Sequence, residues 1–74
     1  MAILPLLSAR VIVRALLRAG YFVARQRGSH IRLTHPMRPP VSVPNHPTIG
    51  RGLLRKILRD ARLGEVDFLR LLGK

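Results

Sequence analysis

The most constraining segment of the chain is residues 30–34, where polar and apolar residues alternate. The alternation predicts a strand, because successive strand side chains project to opposite faces of a sheet. Ile31 and Leu33 are expected to point into a core. The side chains expected to point away from it are His30, Arg32 and Thr34. Residues 27–29 predict a tight turn from a preceding strand at 21–26, so the chain is predicted to contain a hairpin with one buried face.

Two amphipathic patterns flank this hairpin and predict helices over residues 9–19 and 51–62. Ser8 is a favourable N-cap for the first helix, and Gly20 is a favourable residue to end it. The apolar stripes comprise Ile12, Ala15, Leu16 and Ala19 in the first helix, and Leu54, Ile57, Leu58 and Ala61 in the second. Each stripe must be buried, so we expect both helices to cover the same face of the sheet.

The remaining segments complete the predicted order. Residues 35–40 hold three prolines, which remove backbone donors and fix φ, and therefore predict a loop. Residues 41–43 alternate as a short third strand. Gly64 is expected to end the second helix, and residues 65–72 predict a short closing helix with acids in its first turn. The order α-β-β-β-α plus a terminal turn predicts an α+β fold with a three-stranded antiparallel sheet, in a single domain over residues 1–74.

The charge of the chain indicates its type of partner. The 74 residues include 14 Lys and Arg against three acids, which gives a formal net charge of +11. Twelve of these bases are arginine, whose planar fork suits bidentate contact with phosphate. A polyanion is therefore the expected partner. Since the chain has no cysteine, it has neither a disulfide framework nor a thiolate zinc site, and we expect a cytoplasmic protein.

The apolar residues 1–7 do not predict a membrane segment. The run is far shorter than a membrane span, Pro5 interrupts it, and no basic residue precedes it as in a signal peptide. The arginine-bearing amphipathic pattern of residues 9–19 is also typical of a peptide that lies on anionic lipid. The strand and loop content disfavours a membrane-active basic peptide, so we expect no membrane partner.

Six short motifs lie in order along nearly the whole chain. They are Leu4-Pro5, Leu16-Leu17-Arg18-Ala19-Gly20-Tyr21, Gly28-Ser29-His30, Val41-Ser42-Val43-Pro44-Asn45-His46, Gly52-Leu53-Leu54-Arg55-Lys56-Ile57-Leu58 and Asp67-Phe68-Leu69. In these motifs the chain resembles the HicA toxin family, also called YcfA-like. The resemblance implies a double-stranded-RNA-binding-domain-like fold, an mRNA endonuclease activity that arrests translation, and a HicB antitoxin as inhibitor.

The resemblance also implies roles for two motifs. The family's catalytic histidine maps onto His30, and its Pro-x-His motif maps onto Pro44-Asn45-His46. The chain departs from the family in its arginine-rich, lysine-poor surface. The arginines that flank the histidine motif are Arg25, Arg27 and Arg32. This departure bears on the affinity for RNA more than on the chemistry.

The residues themselves favour a route without a metal or cofactor. Metal-assisted nucleases need clustered carboxylates. The acids of this chain, all in the last fifteen residues, are Asp60, Glu65 and Asp67. RNA supplies its own nucleophile, the 2′-hydroxyl, so a histidine can act as general base or acid while arginines stabilise charge on the phosphate.

Within this chemistry, each residue of the hairpin turn has an expected role. We expect His30 to transfer the proton and Arg32 or Arg27 to stabilise the phosphate. The backbone amides of Gly28 and Ser29 are expected to share in contacting the oxyanion. Ser29 as a covalent nucleophile is disfavoured, because no base and orienting group are visible beside it.

The other candidate residues have weaker signals. His35 and His46 each precede a proline in a loop, where a turn-stabilising role is the favoured interpretation. Of the two, His46 is the candidate for supporting catalysis. The further arginines expected to contact RNA are Arg10, Arg14, Arg55 and Arg59. Phe22 and Phe68 are expected in the core, so base stacking on an aromatic residue is not expected.

Two functions from different classes remain open on this basis. The first is an mRNA endoribonuclease toxin whose antitoxin is acidic at the contact and covers His30. The alternative is a non-catalytic RNA-binding module in which His30 is only a contact residue. Loss of cleavage in His30→Ala distinguishes the two.

Overall fold

The protein folds as a three-stranded antiparallel sheet packed against two helices, with a third helix packed against those two. The computed structural model describes residues 3–73. The elements in chain order are α1 (Ala9–Arg18), β1 (Phe22–Arg27), β2 (His30–Thr34), β3 (Val41–Pro44), α2 (Arg51–Ala61) and α3 (Glu65–Leu72). The strand order is β1-β2-β3. The predicted α+β class and element order are confirmed, and the predicted closing helix is α3, which covers the same residues 65–72.

The sheet has one buried face and one open face. The inward side chains of β2 and β3 are buried and belong to the main apolar cluster; they are Ile31, Leu33, Val41 and Val43. Their neighbours along β2 and β3 point the other way and remain exposed or partly exposed. Both α1 and α2 contact β3, and their apolar stripes join the same cluster. Both main helices therefore cover one face, as predicted, and the opposite side is named here the open face.

Helix α1 begins at the residue that the sequence predicts and ends one residue earlier than predicted, at Arg18. The Ser8 hydroxyl accepts a hydrogen bond from the Val11 N–H at 3.3 Å and so satisfies one free donor of the first turn. Gly20, two residues beyond the helix, has φ +103°, which side chains rarely tolerate. Within residues 3–73, no helix has the length and apolar character needed to cross a bilayer.

Gly20 also provides a test of the packing. An added Cβ would lie 2.8 Å from the His35 Nε2, so Gly20→Ala combines steric overlap with backbone strain. We expect this variant to lose about 2 kcal/mol of the free energy of unfolding, measured from urea denaturation midpoints. Gly52→Ala is the control, since nothing lies within 4 Å of its added Cβ. Equal stability of the two variants would contradict this description of the Gly20 site.

The aromatic residues differ from the sequence prediction. Phe22 was expected in the core but is 58% exposed, whereas Tyr21 is only 2% exposed. The Tyr21 hydroxyl donates a hydrogen bond to the Pro39 carbonyl at 2.8 Å, and its ring contacts His35 edge-on. All six residues of β1, an edge strand of the sheet, are exposed. Phe68 is fully buried, as predicted.

Helix α2 ends earlier than expected and for a different reason. Arg62, and not Gly64, takes the left-handed conformation that ends the helix, with φ +58°. The Arg38 guanidinium donates hydrogen bonds to the carbonyls of Arg62, at 2.6 Å, and Ala61, at 3.3 Å. A cation at the end of a helix interacts favourably with its dipole and satisfies carbonyls that have no partner within the helix. Gly64 instead precedes α3 as its N-cap.

Candidate active site

The hairpin turn places His30 at one end of the open face. Gly28 and Ser29 form a two-residue connection, and Gly28 has φ +57°, as the first central residue of a type II′ turn requires. His30 lies directly opposite Arg27 on β1 and opposite Pro44 on β3. Since directly opposed residues of antiparallel strands share a face, the His30 and Arg27 side chains project from the same side of the sheet.

The same register places two further arginines beside this pair. Arg25 lies directly opposite Arg32, one step farther along the open face. The Arg32 guanidinium donates a hydrogen bond to the Ser42 hydroxyl at 3.0 Å. Like charges in directly opposed positions destabilise a sheet. The open face therefore contains a like-charge pair that a bound anion would relieve.

The carboxylates of the chain lie elsewhere. Each one forms an ion pair within the helical part of the chain: Asp60 with Lys56, Glu65 with Arg55, and Asp67 with Arg70. Across residues 3–73, none of the three is within 4.0 Å of Arg25, Arg27 or Arg32. In the same range, no three His, Cys, Asp or Glu residues group together as metal ligands would. The open face thus presents positive charge without compensating side-chain carboxylates.

A β-bulge in β1 changes which residues reach the open face. Starting from the turn, strict alternation would place Val23 on the open face and Phe22 on the inner face. The register shifts between Val23 and Arg25, so Ala24 is an extra residue with no direct partner. Val23 consequently lies opposite Leu33, and Phe22 lies opposite Thr34. The bulge therefore turns the Phe22 side chain to the same face as His30, which explains why Phe22 is absent from the core.

The segment that contains His46 is attached to the hairpin turn. The Asn45 N–H donates a hydrogen bond to the Ser29 carbonyl at 2.6 Å. The His46 carbonyl accepts one from the Ala9 N–H, at the start of α1, at 3.0 Å. The backbone around His46 is thereby fixed between the turn and the first helix, while its side chain is exposed. The structure brings the two sequence-predicted histidine motifs into neighbouring segments.

His35 has a structural environment. Its Nε2 lies 3.0 Å from the Ala19 carbonyl, and its Nδ1 accepts a hydrogen bond from the Met37 N–H at 2.9 Å. Both ring nitrogens are therefore used in holding the loop against the end of α1. The turn-stabilising role that the sequence favoured for His35 agrees with these two contacts.

Burial raises the pKa of the Tyr21 phenol, and the positive charge of Arg38 partly offsets this effect.

The arginines of the helices lie on a different surface from the arginines of the sheet. Arg10, Arg14 and Arg59 are exposed on the helical layer and not on the open face. Arg55 is partly buried and lies 3.6 Å from the Glu65 carboxylate. Three other arginines donate to backbone carbonyls of distant segments, namely Arg18, Arg38 and Arg51. These long-range contacts have no local sequence signal.

The site is an open surface. Gly28, Ser29 and His30 are all exposed, and no enclosed pocket occurs within residues 3–73. Small-molecule sites are usually concave and apolar. An exposed strip of arginines on a sheet suits an extended, charged polymer better than a small substrate.

Comparison with known proteins gives one family. The family model described as HicA toxin of bacterial toxin–antitoxin matches residues 9–63, which include the hairpin, the Pro44-Asn45-His46 segment and both main helices. The comparison with curated proteins gives no match. Since the matched residues make up most of the 74-residue chain, this protein belongs to the HicA toxin family of bacterial toxin–antitoxin systems, in which each toxin has a cognate antitoxin.

Proposed function

We propose that this toxin is an endoribonuclease that cleaves mRNA, with His30 transferring a proton during attack by the substrate's own 2′-hydroxyl. The observation that supports this proposal is the position of His30, exposed at the end of the open face and directly opposite Arg27. Imidazole gains and loses a proton near neutral pH, which suits a general acid or base. Family membership adds the toxin role but does not specify the reaction.

The neighbouring arginines supply the electrostatic part of the mechanism. Attack by the 2′-hydroxyl increases the negative charge on the scissile phosphate, and fixed guanidinium groups stabilise that charge. Arg27 faces His30 across the strand pair, and the Arg25–Arg32 pair follows along the same face. We assign Arg27 to the scissile phosphate and the Arg25–Arg32 pair to an adjacent phosphate. The exposed backbone amides at Gly28 and Ser29 offer additional donors to the oxyanion.

A mechanism that uses the 2′-hydroxyl needs no metal-bound water. The positions of the carboxylates are compatible with this, because all three lie in α2 or α3 and are paired with basic side chains. The mechanism restricts the substrate to RNA, because DNA lacks the attacking hydroxyl. His46 is the second candidate for proton transfer, since its segment is hydrogen-bonded to the turn that precedes His30.

The sheet arginines and the helix arginines make competing predictions for RNA binding. If the open face holds the phosphates, Arg25→Ala should reduce the slope of log Kd against log salt concentration by about 0.7 for single-stranded RNA. Arg14→Ala, on the exposed side of α1, is the matched control and should leave the slope nearly unchanged. Titrations at several salt concentrations measure both slopes. A loss confined to Arg14→Ala would move the RNA site to the helical layer.

The antitoxin is expected to be acidic where it contacts the toxin. A patch with Arg25, Arg27 and Arg32 and no nearby side-chain carboxylate favours a partner of opposite charge, which also accelerates association. We therefore expect the association rate with the antitoxin to fall as salt rises, and the complex to lose RNA cleavage. Stopped-flow mixing and a cleavage assay of the purified complex test this. Full cleavage by the complex would show that the antitoxin leaves His30 accessible.

A further inference from the structure

We propose that Phe22 stacks on an unpaired base of single-stranded RNA bound across the open face. This contact adds a base subsite at the end of the β1–β2 strand pair that is farther from His30. This inference depends on the proposed function for the identity of the polymer. The proposed function concerns proton transfer by His30, whereas this inference concerns stacking by Phe22. The experiment can therefore refute either proposal without the other.

The exposure of Phe22 is the first observation that supports the subsite. The side chain is 58% exposed, whereas the other two Phe and Tyr residues, Tyr21 and Phe68, are at most 2% exposed. Burial of a phenylalanine normally stabilises a fold, and this chain forgoes most of that gain at position 22. Phe22 lies on the open face, opposite to the face that α1 and α2 cover. The ring is thus available to a ligand.

The second observation is the face to which Phe22 belongs. The bulge at Ala24 places it opposite Thr34, on the face that carries His30 and the arginines. If Ala24 were paired in regular alternation, Val23 would occupy this face instead. Exposed aromatic rings beside basic side chains are the usual arrangement in proteins that bind single-stranded nucleic acid, because bases stack on the ring while the cations hold the backbone.

The third observation is the spacing along the sheet. Thr34, opposite Phe22, is four residues from His30 on β2, which corresponds to roughly 13 Å at the rise of an antiparallel strand. Phosphates of a stacked strand are about 3.4 Å apart along the axis, so this span holds about four stacked nucleotides, or fewer when the strand is extended. The Arg25–Arg32 pair lies between the two ends. A strand with its scissile phosphate at His30 therefore passes the arginines before it reaches Phe22.

The subsite also predicts which RNA the toxin prefers. A base within a duplex is already stacked and paired, so only an unpaired base can place its full face on Phe22. Stacking on an aromatic ring tolerates any base, so the subsite selects for single-stranded RNA more than for sequence. We expect cleavage within unpaired regions of mRNA.

The test compares two exposed apolar residues on opposite faces of β1. Phe22→Ala is the informative variant, and Val23→Ala is the control, since Val23 is 46% exposed and faces the other side. Both are made in the His30→Ala protein, and affinity is measured by fluorescence anisotropy with a labelled RNA that cannot pair with itself. We expect Phe22→Ala to weaken binding about tenfold and Val23→Ala less than twofold. Denaturation midpoints confirm that both variants fold.

Two further measurements identify the stacked base. The chain has no tryptophan, so Phe22→Trp introduces a single tryptophan. This variant should retain affinity, and its tryptophan fluorescence should change when the RNA binds. One abasic nucleotide is then moved along the RNA. At one position, a few nucleotides from the scissile phosphate, it should weaken binding to the parent protein about tenfold but leave binding to Phe22→Ala unchanged.

Each alternative outcome has a defined meaning. Equal affinity of Phe22→Ala, Val23→Ala and the parent protein, with no abasic position that differs, overturns the base subsite. Loss of antitoxin binding without loss of RNA binding assigns Phe22 to the protein partner and also overturns it. If RNA binding depends on Phe22 but the protein with His30 intact does not cleave RNA, the proposed function fails and the subsite stands.

Discussion

Replacing His30 with alanine is expected to lower the rate of RNA cleavage by about 10²-fold or more, the usual contribution of a general acid or base. The affinity for RNA should change little, because the phosphate contacts proposed for Arg25, Arg27 and Arg32 do not involve His30. Cleavage is measured with purified protein under single-turnover conditions, and affinity is measured in parallel by anisotropy. A drop in the cleavage rate at constant affinity shows that His30 acts in the reaction and not in binding.

The control for this prediction is another exposed residue of the same strand face. Thr34→Ala alters the end of β2 that is farther from His30. This variant should leave the cleavage rate within about threefold, because the threonine hydroxyl is too far from His30 to take part in proton transfer at the scissile phosphate. His30 is exposed, so its replacement should not change the urea midpoint appreciably. Full cleavage by purified His30→Ala would favour the alternative, a non-catalytic RNA-binding module.

A single 2′-deoxy substitution at the scissile nucleotide should stop cleavage there completely. The proposed mechanism takes its nucleophile from that hydroxyl, so its removal leaves no attacking group, while the arginine contacts to the phosphates remain. The product should carry a 2′,3′-cyclic phosphate or the monophosphate formed by its hydrolysis. Mass spectrometry of the products and an assay in EDTA measure both consequences. Cleavage should be unchanged by EDTA, because the mechanism has no metal-bound water.

The same substitution placed one nucleotide away is the matched control. It removes a hydroxyl from the RNA but leaves the nucleophile in place, so cleavage should continue. If the strand is cut at the substituted nucleotide, or if EDTA abolishes cleavage, water attacks the phosphate and a metal-bound hydroxide becomes the better explanation. In that case His30 would bind or orient the phosphate, and His30→Ala would alter the affinity for RNA.

The fold could be predicted where a local pattern has a single physical meaning. The turn followed by alternation predicted the hairpin, and with it the exposure of His30 and the burial of Ile31 and Leu33, although Arg27 belongs to β1 and not to the turn. The helix stripes predicted which residues would be buried, because each helix has only one apolar side to cover. These elements are short-range features, so the sequence contains all the information they need.

Other features depended on segments that are distant in the chain. Alternation alone places Phe22 inside, and nothing in the local sequence indicates the bulge at Ala24 that reverses it. The end of α2 at Arg62 involves Arg38, which is 24 residues away. The approach of His46 to the turn likewise depends on how β3 pairs with β2. The roles of His30 and the arginines remain predictions, since geometry alone does not show a reaction.

The bulge lets β1 contain one residue more than its partner strand without moving a paired side chain to the other face. Ala24 has no direct partner on β2, so substitutions at this position should be tolerated. Deleting Ala24 would let Val23 follow Arg25 in regular alternation, with Val23 still opposite Leu33 and Phe22 still opposite Thr34. The strand can therefore lose one codon at position 24 and keep Phe22, Arg25 and Arg27 on one face.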